Sequence, residues 1–202
     1  NVDPDIPFIL FVGRIQPLKG PDVAIRALAA LGRSDARLAI VGGASGSNGD
    51  GQSSEARALV DELGLHDQVQ FIEPKPHHIL STWYRAADIV LVPSRSESFG
   101  LVALEAAACG VPVVASAVGG LVSLVDDGET GYLIEGRKPA DYADAMRTIL
   151  NDSELAASMG KAAVERAKAY TWRAAAERLL EVYAELGVGT LVTCHDADEE
   201  ST

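Results

Sequence analysis

Short apolar runs alternate with longer amphipathic stretches along most of the chain. Pro7–Val12 (PFILFV) is a short, continuous apolar run, the pattern of a strand buried on both faces. Arg37–Val41, Gln68–Ile72, Asp88–Val92 and Pro112–Ser116 read as four further strands. Gly131–Ile134 reads as a sixth strand. Between these runs the apolar positions recur at helical spacing. Helices are predicted over Pro21–Leu31, with Pro21 and Asp22 suited to a first turn, and over Ser54–Leu63, stopped by Gly64. Further helices are predicted over His77–Ala86, Phe99–Cys109 and the short Leu121–Val125. Three more follow, from about Ala140 to Leu150, Glu154 to Ala169 and Trp172 to Leu186.

Strands alternating with helices imply right-handed crossovers and a parallel sheet. The expected fold is therefore α/β and Rossmann-like, with a doubly wound, mainly parallel six-stranded sheet. One domain is expected over residues 1–187, and the acidic segment 188–202 is expected to be a loose tail. The chain opens on Asn1 rather than Met, directly before a strand, the pattern of a cut-out domain or partial chain, or of a start removed by processing.

Composition narrows the function classes. The 202 residues are 48% hydrophobic and 23% charged, as in an ordinary globular protein. A formal net charge of −12 argues against charge-driven binding to nucleic acid or to an anionic membrane. Ala106–Val125 approaches the length of a membrane span, but Gly110, Pro112, Gly119 and Gly120 interrupt it, so no span is expected. Cys109 and Cys194 form no CxxC pair or disulfide framework, which fits a reducing, cytoplasmic setting.

In a doubly wound sheet the ligand crevice lies at the carboxyl ends of the strands. The loops expected there hold Arg14 and Lys19, the Gly42–Gly51 segment, Glu73–Pro76, and Ser94–Gly100. The stretch PSRSESFGLVALEAAACG is the most informative. It places Glu97 and Glu105 eight positions apart, on either side of a helix entrance at Ser98–Leu101. Free N–H groups and the positive end of the dipole gather at such an entrance and suit a phosphate. Arg14 can fork two N–H bonds onto a diphosphate, and Lys19 adds a mobile point charge. A carboxylate at Glu105 can accept from two adjacent ribose hydroxyls. Glu97 can take a sugar hydroxyl, or stabilise positive charge at the anomeric carbon, as the candidate catalytic group. Lys75, held between Pro74 and Pro76, is a candidate contact to a base or phosphate.

Each of these has a plainer reading. Arg14, Lys19 and Lys75 are also ordinary surface cations, and Glu97 is also a carboxylate complementing a helix dipole. The convergence of two bases, a glycine-bearing helix entrance and two carboxylates favours a nucleotide-sugar site. GGASGSNGDG has neither GxGxxG nor GxxxxGK[ST] spacing. His77 and His78 are adjacent and point apart on a helix, which is poor metal-ligand geometry.

The segments FVGRIQPLKG (Phe11–Gly20), YRAADIVLVPSRSESFGLVALEAAACGVPVVAS (Tyr84–Ser116) and GGLVSLVDDGETGYLI (Gly119–Ile134) together resemble the carboxyl-terminal domain of retaining GT-B glycosyltransferases. The resemblance is to family 4, group 1, and covers nearly the whole chain. It is strongest for the branch that acts on inositol 3-phosphate in mycothiol biosynthesis. It implies UDP-N-acetylglucosamine as donor and 1D-myo-inositol 3-phosphate as acceptor. By the same resemblance Arg14 and Lys19 hold the diphosphate, Glu105 the ribose and Glu97 the sugar hydroxyls. Backbone at Phe99, Gly100 and Leu101 completes the cradle. Lys75 falls where relatives carry an arginine near the uracil. No catalytic metal is implied; a structural Mg²⁺ is, through groups matching Tyr84, Arg85, Ala87 and Val111. The acceptor site is expected in an amino-terminal domain outside this sequence, so the chain alone is expected to bind donor without transferring sugar. A non-catalytic nucleotide-sugar binding module and a UDP-N-acetylglucosamine 2-epimerase are the competing readings.

Overall fold

The computed structural model describes residues 6–43 and 49–187. The six strands are β1 (Phe8–Val12), β2 (Arg37–Val41), β3 (Val69–Ile72), β4 (Ile89–Val92), β5 (Val113–Ser116) and β6 (Gly131–Ile134). All pair in parallel, in the order β3-β2-β1-β4-β5-β6. The chain runs outward from β1 to β3, returns across the sheet, and runs outward again from β4 to β6. With right-handed crossovers this reversal puts helices on both faces. It also places a topological switch point between β1 and β4, whose Ile9, Leu10 and Phe11 pair with Ile89, Val90 and Leu91.

Helices α1 (Pro21–Leu31), α2 (Gly49–Glu62), α3 (His77–Ala86), α4 (Leu101–Ala108) and α5 (Leu121–Leu124) connect successive strands. After β6 come α6 (Pro139–Leu150) and α7 (Ser153–Ala167). Helix α6 packs on α1, and α7 reaches α4 on the other face. The central strands are apolar throughout because both faces are covered: Ile9, Leu10, Ile89, Val90 and Val114 are fully buried. Ile9, Phe11, Leu28, Leu38, Ile40, Leu91, Tyr142 and Met146 share the main core cluster. A smaller alanine contact, Ala107 with Ala163 and Ala167, lets α4 and α7 approach closely.

The chain divides into a compact unit through Lys168 and a second unit from Ala169. The described part of the second unit contains α8 (Trp172–Gly187). The tail expected over 188–202, with Cys194, lies outside the described residues. Among the described residues no helix is long and apolar enough to cross a membrane.

Two helix starts move by two residues or more. Helix α2 begins at Gly49 rather than Ser54. Gly49–Ser53 has no apolar periodicity to mark a helix, yet an added turn ahead of the packed Ala56, Leu59 and Val60 needs no new nucleus. Part of the loop expected over 42–53, residues 44–48, lies outside the described residues. Helix α4 begins at Leu101 rather than Phe99, because Gly100 is held at φ 102°, ψ 45°, a left-handed conformation that ends any helix running back through it.

Tyr142, on α6, links the end of β5 to the segment just after β6. Its ring is fully buried, and its hydroxyl lies 2.8 Å from Ser116 Oγ and 3.3 Å from the Gly136 carbonyl. Burial raises the phenol's pKa, so it remains a protonated partner in these bonds. Tyr142→Phe keeps the ring and strands the buried Ser116 hydroxyl. We predict a loss of about 1–2 kcal/mol, read as a lower urea midpoint at unchanged slope. An unchanged midpoint would contradict this role.

Candidate functional site

The loops after β1 and β4 meet at the switch point, and their main chains are joined directly. Arg95 N–H donates to the Leu18 carbonyl at 2.8 Å. Behind them Gly13 N–H donates to Val41 and Ile15 N–H to Gly43, each at 3.0 Å, tying the β1 loop to β2. These approaches require glycine. A Cβ on Gly20 would lie 2.3 Å from the Pro93 carbonyl oxygen, and one on Gly42 would lie 1.8 Å from that of Gly13. The loop after β5 closes in the same way. Gly120 N–H donates to the Glu97 carbonyl at 3.0 Å, and a Cβ on Gly119 or Gly120 would meet the carbonyl oxygen of Glu97 or Phe99 at 2.0 or 2.3 Å.

This seam fixes the main chain that carries the first pair of predicted site residues. Lys19 Nζ donates to Glu97 Oε2 at 2.6 Å, with side chains 23% and 15% exposed. Ser94, almost fully buried at the end of β4, donates to the same oxygen at 3.4 Å. The pair and Ser94 line, with Phe11, Val12, Leu91, Val92 and Val102, a cavity of about 10 Å³, the size of a single water. Arg14 is exposed on the same β1 loop.

The α4 entrance follows at once. Gly100 caps it with no side-chain hydrogen bond, so the first N–H groups are offered by backbone alone. Phe99 and Leu101 flank the entrance and are 43% and 60% exposed. One turn in, Glu105 is held by Tyr84 from α3. The buried Tyr84 hydroxyl donates to Glu105 Oε2 at 2.7 Å, and His77 Nδ1 lies 3.4 Å from Oε1. Burial first, and then the bond to Glu105, push the phenol far above its ordinary pKa, so Tyr84 remains a donor throughout the working range. Glu105 keeps 31% of its side chain exposed, enough for Oε1 to meet a ligand hydroxyl. Lys75 is exposed beyond β3, between prolines, and Pro74 lies against Gly43.

The structure thus brings Lys19, Glu97, Phe99, Gly100, Leu101 and Glu105 to one edge, with Arg14 on the adjoining loop. Lys75 sits one loop further out. Three contributors were not singled out from sequence for their side chains: Ser94, Tyr84 and Arg137. Arg137, after β6, donates to the Pro93 carbonyl at 2.8 Å and faces Asp22 at 3.3 Å, bracing the β4 loop against α1. The signal for Ser94 was its place directly after an apolar strand. Arg137, a lone basic residue beyond β6, gave none.

Tyr84, Arg85 and Ala87 lie at the carboxyl end of α3, and Val111 follows the end of α4. Ala87 N–H donates to the Tyr84 carbonyl at 3.0 Å, leaving that oxygen a second lone pair. Main-chain oxygens at helix ends suit a hard cation such as Mg²⁺. Among the described residues no three or more His, Cys, Asp or Glu side chains cluster to hold a metal. Cys109 nearby is a free thiol whose pKa burial raises.

Comparison with known proteins is consistent across most of the chain. Residues 1–166 match the family profile described as Glycosyl transferases group 1. The D-inositol 3-phosphate glycosyltransferase of Thermomonospora curvata is 49% identical over 185 residues, taking in 89% of this chain and 43% of that protein. The sucrose-phosphate synthase of Thermosynechococcus elongatus superposes with a TM-score of 0.86 at 38% identity, over 94% of this chain and 47% of the other. Anabaena HepE, solved with UDP-glucose, superposes at 0.80 with 26% identity, over 90% and 49%. The chain spans less than half the length of the curated relatives it matches.

Gly120 has an ordinary φ of −62°, so any cost of a side chain there is steric. Gly120→Ala is expected to lose about 1–3 kcal/mol of stability in urea, by forcing the Phe99 main chain away from the β5 loop. A neutral substitution would show that the seam is slack.

Proposed function

We propose, from the premise that this chain belongs to the group 1 glycosyl transferase family, that it is the donor-binding domain of a retaining glycosyltransferase. The donor is UDP-N-acetylglucosamine and the acceptor 1D-myo-inositol 3-phosphate, as in the mycothiol pathway. The inositol phosphate transferase relative at 49% identity supports this choice. HepE, solved with UDP-glucose, supports a uridine diphosphate sugar as the donor class. The observation that carries the reading is the line-up along one strand edge: Lys19 and Glu97 at the switch point, the α4 entrance, then Glu105. A cation and a helix entrance flanked by two carboxylates match a diphosphate with a sugar on one side and a ribose on the other.

In this reading Arg14 and Lys19 grip the diphosphate, and the N–H groups at Phe99–Leu101 cradle it. Glu105, oriented by Tyr84, accepts from the ribose hydroxyls, and Lys75 reaches the uracil. Glu97 orients the sugar. As the anomeric bond to the diphosphate oxygen breaks, negative charge grows on the leaving group where the cations and helix entrance already point. The acceptor hydroxyl attacks from the face the diphosphate leaves, and its proton passes to the departing phosphate oxygen. Retention of configuration follows. The acceptor is contributed through the remainder of a two-domain protein, and sugar transfer needs both halves. Transfer is assigned no catalytic metal. Groups at Tyr84, Arg85, Ala87 and Val111 would hold a Mg²⁺ as a structural brace, apart from the transfer chemistry. The cysteine usage is in keeping with a cytoplasmic setting.

Calorimetric titration of the chain with UDP, ADP and GDP tests the donor assignment. UDP is expected to bind best, and Glu105→Ala to weaken it about 10- to 100-fold through the lost ribose bonds. Equal binding of all three nucleotides, or an indifferent Glu105→Ala, would contradict the assignment. In the two-domain enzyme Glu97→Ala should lower kcat by about 100-fold without weakening UDP, since Glu97 is assigned to the sugar. Unchanged kcat in that variant would contradict the assignment of Glu97 to the sugar.

A further inference from the structure

Lys19 and Glu97 face a conflict that the donor-site reading creates. Lys19 is assigned to the diphosphate, yet its Nζ donates to Glu97 Oε2 at 2.6 Å in a half-buried setting. Glu97 cannot withdraw by a backbone shift. Its carbonyl is held by Gly120 N–H at 3.0 Å, and Gly119 packs against it at a distance that excludes even a Cβ. Ser94, fixed at the end of β4, holds the same carboxylate oxygen. The small cavity that the pair shares with Ser94 and the apolar Phe11, Val12, Leu91, Val92 and Val102 leaves room for about one water. The mobile partner is Lys19, with its four-carbon stem on the β1 loop.

We infer that Lys19 and Glu97 form an exchange pair that makes the site discriminate a nucleoside diphosphate sugar from the bare nucleoside diphosphate. This rests on the donor-site reading and adds the order in which the partners trade. When a sugar nucleotide binds, Lys19 turns to the diphosphate and Glu97 replaces it with sugar hydroxyls, so neither charge is left without a partner. When the bare diphosphate binds, Lys19 is drawn away with nothing to replace it. Glu97 then sits as an uncompensated carboxylate beside a second anion, at a site only 15% exposed. Leaving a partly buried charge without its partner is the expensive half of breaking such a pair. After transfer the same imbalance works on the product. Once the sugar has gone, Glu97 reclaims Lys19, and the nucleotide loses a phosphate contact. Glu97 thus acts as a specificity-determining group through Lys19, besides any contact it makes with the sugar.

The test is a double-mutant cycle on UDP and UDP-N-acetylglucosamine binding, by calorimetry on the folded chain, with Glu97→Gln, Lys19→Met and the pair together. Glu97→Gln keeps the shape and removes the charge. It should tighten UDP about 3- to 5-fold, the upper range of a partly exposed ion pair, and give the sugar nucleotide no comparable gain. In the Lys19→Met background the same substitution should change UDP affinity by less than about twofold, because the competition is gone. Two results would overturn the exchange. One is UDP affinity unmoved or weakened by Glu97→Gln. The other is an equal gain with and without Lys19, which is general charge repulsion rather than a shared lysine. If neither ligand binds the folded wild-type chain, the donor-site reading itself fails, and the exchange fails with it.

Discussion

The site depends on how closely the loops at the carboxyl edge of the sheet approach one another. Carbonyl oxygens of Gly13, Pro93, Glu97 and Phe99 each lie where the Cβ of a facing residue would have to be, and each faces a glycine. Without those contacts the β1, β4 and β5 loops would stand further apart by about the breadth of a methyl group. The consequence is positional. Glu97 and Phe99 are fixed through their main chains rather than through their side chains, which leaves the side chains available to a ligand.

Around that seam the chemistry is divided between neighbouring elements. The β1 loop supplies cations, the β4 loop a carboxylate and a helix entrance, and α3 supplies a phenol that orients the second carboxylate. None of these groups is unusual alone. Their value lies in being placed at the switch point, where β1 and β4 run side by side and their following chains diverge to opposite faces of the sheet. A protein of net charge −12 can hold a polyanionic ligand here because local cations and oriented N–H groups outweigh the distant, screened charge.

Much of this was legible in the sequence because buried parallel strands leave unbroken apolar runs. The strand cores of β1, β2 and β4 could be read from PFILFV, RLAIV and DIVLV, and the loops after them named the cations and glutamates. What stayed hidden was long-range and local geometry. Tyr84 reaches Glu105 across 21 positions, and Arg137 reaches Pro93 across 44, with no spacing rule to connect them. The start of α4 was misplaced because one left-handed glycine outweighed the helical pattern around it. The first turn of α2 was missed because its polar residues carry no periodic signal. The pairing of Lys19 with Glu97 was equally invisible: sequence assigned each to a ligand, and only the fold shows that each is also the other's partner.

The most direct measurement is a crystal structure of the chain grown with UDP. The account predicts the diphosphate at the entrance of α4 within reach of Arg14 and Lys19, the ribose hydroxyls on Glu105 Oε1, and Lys19 Nζ turned away from Glu97. Nucleotide bound away from the β1–β4 switch point, or bound there with the Lys19–Glu97 contact intact, would contradict it.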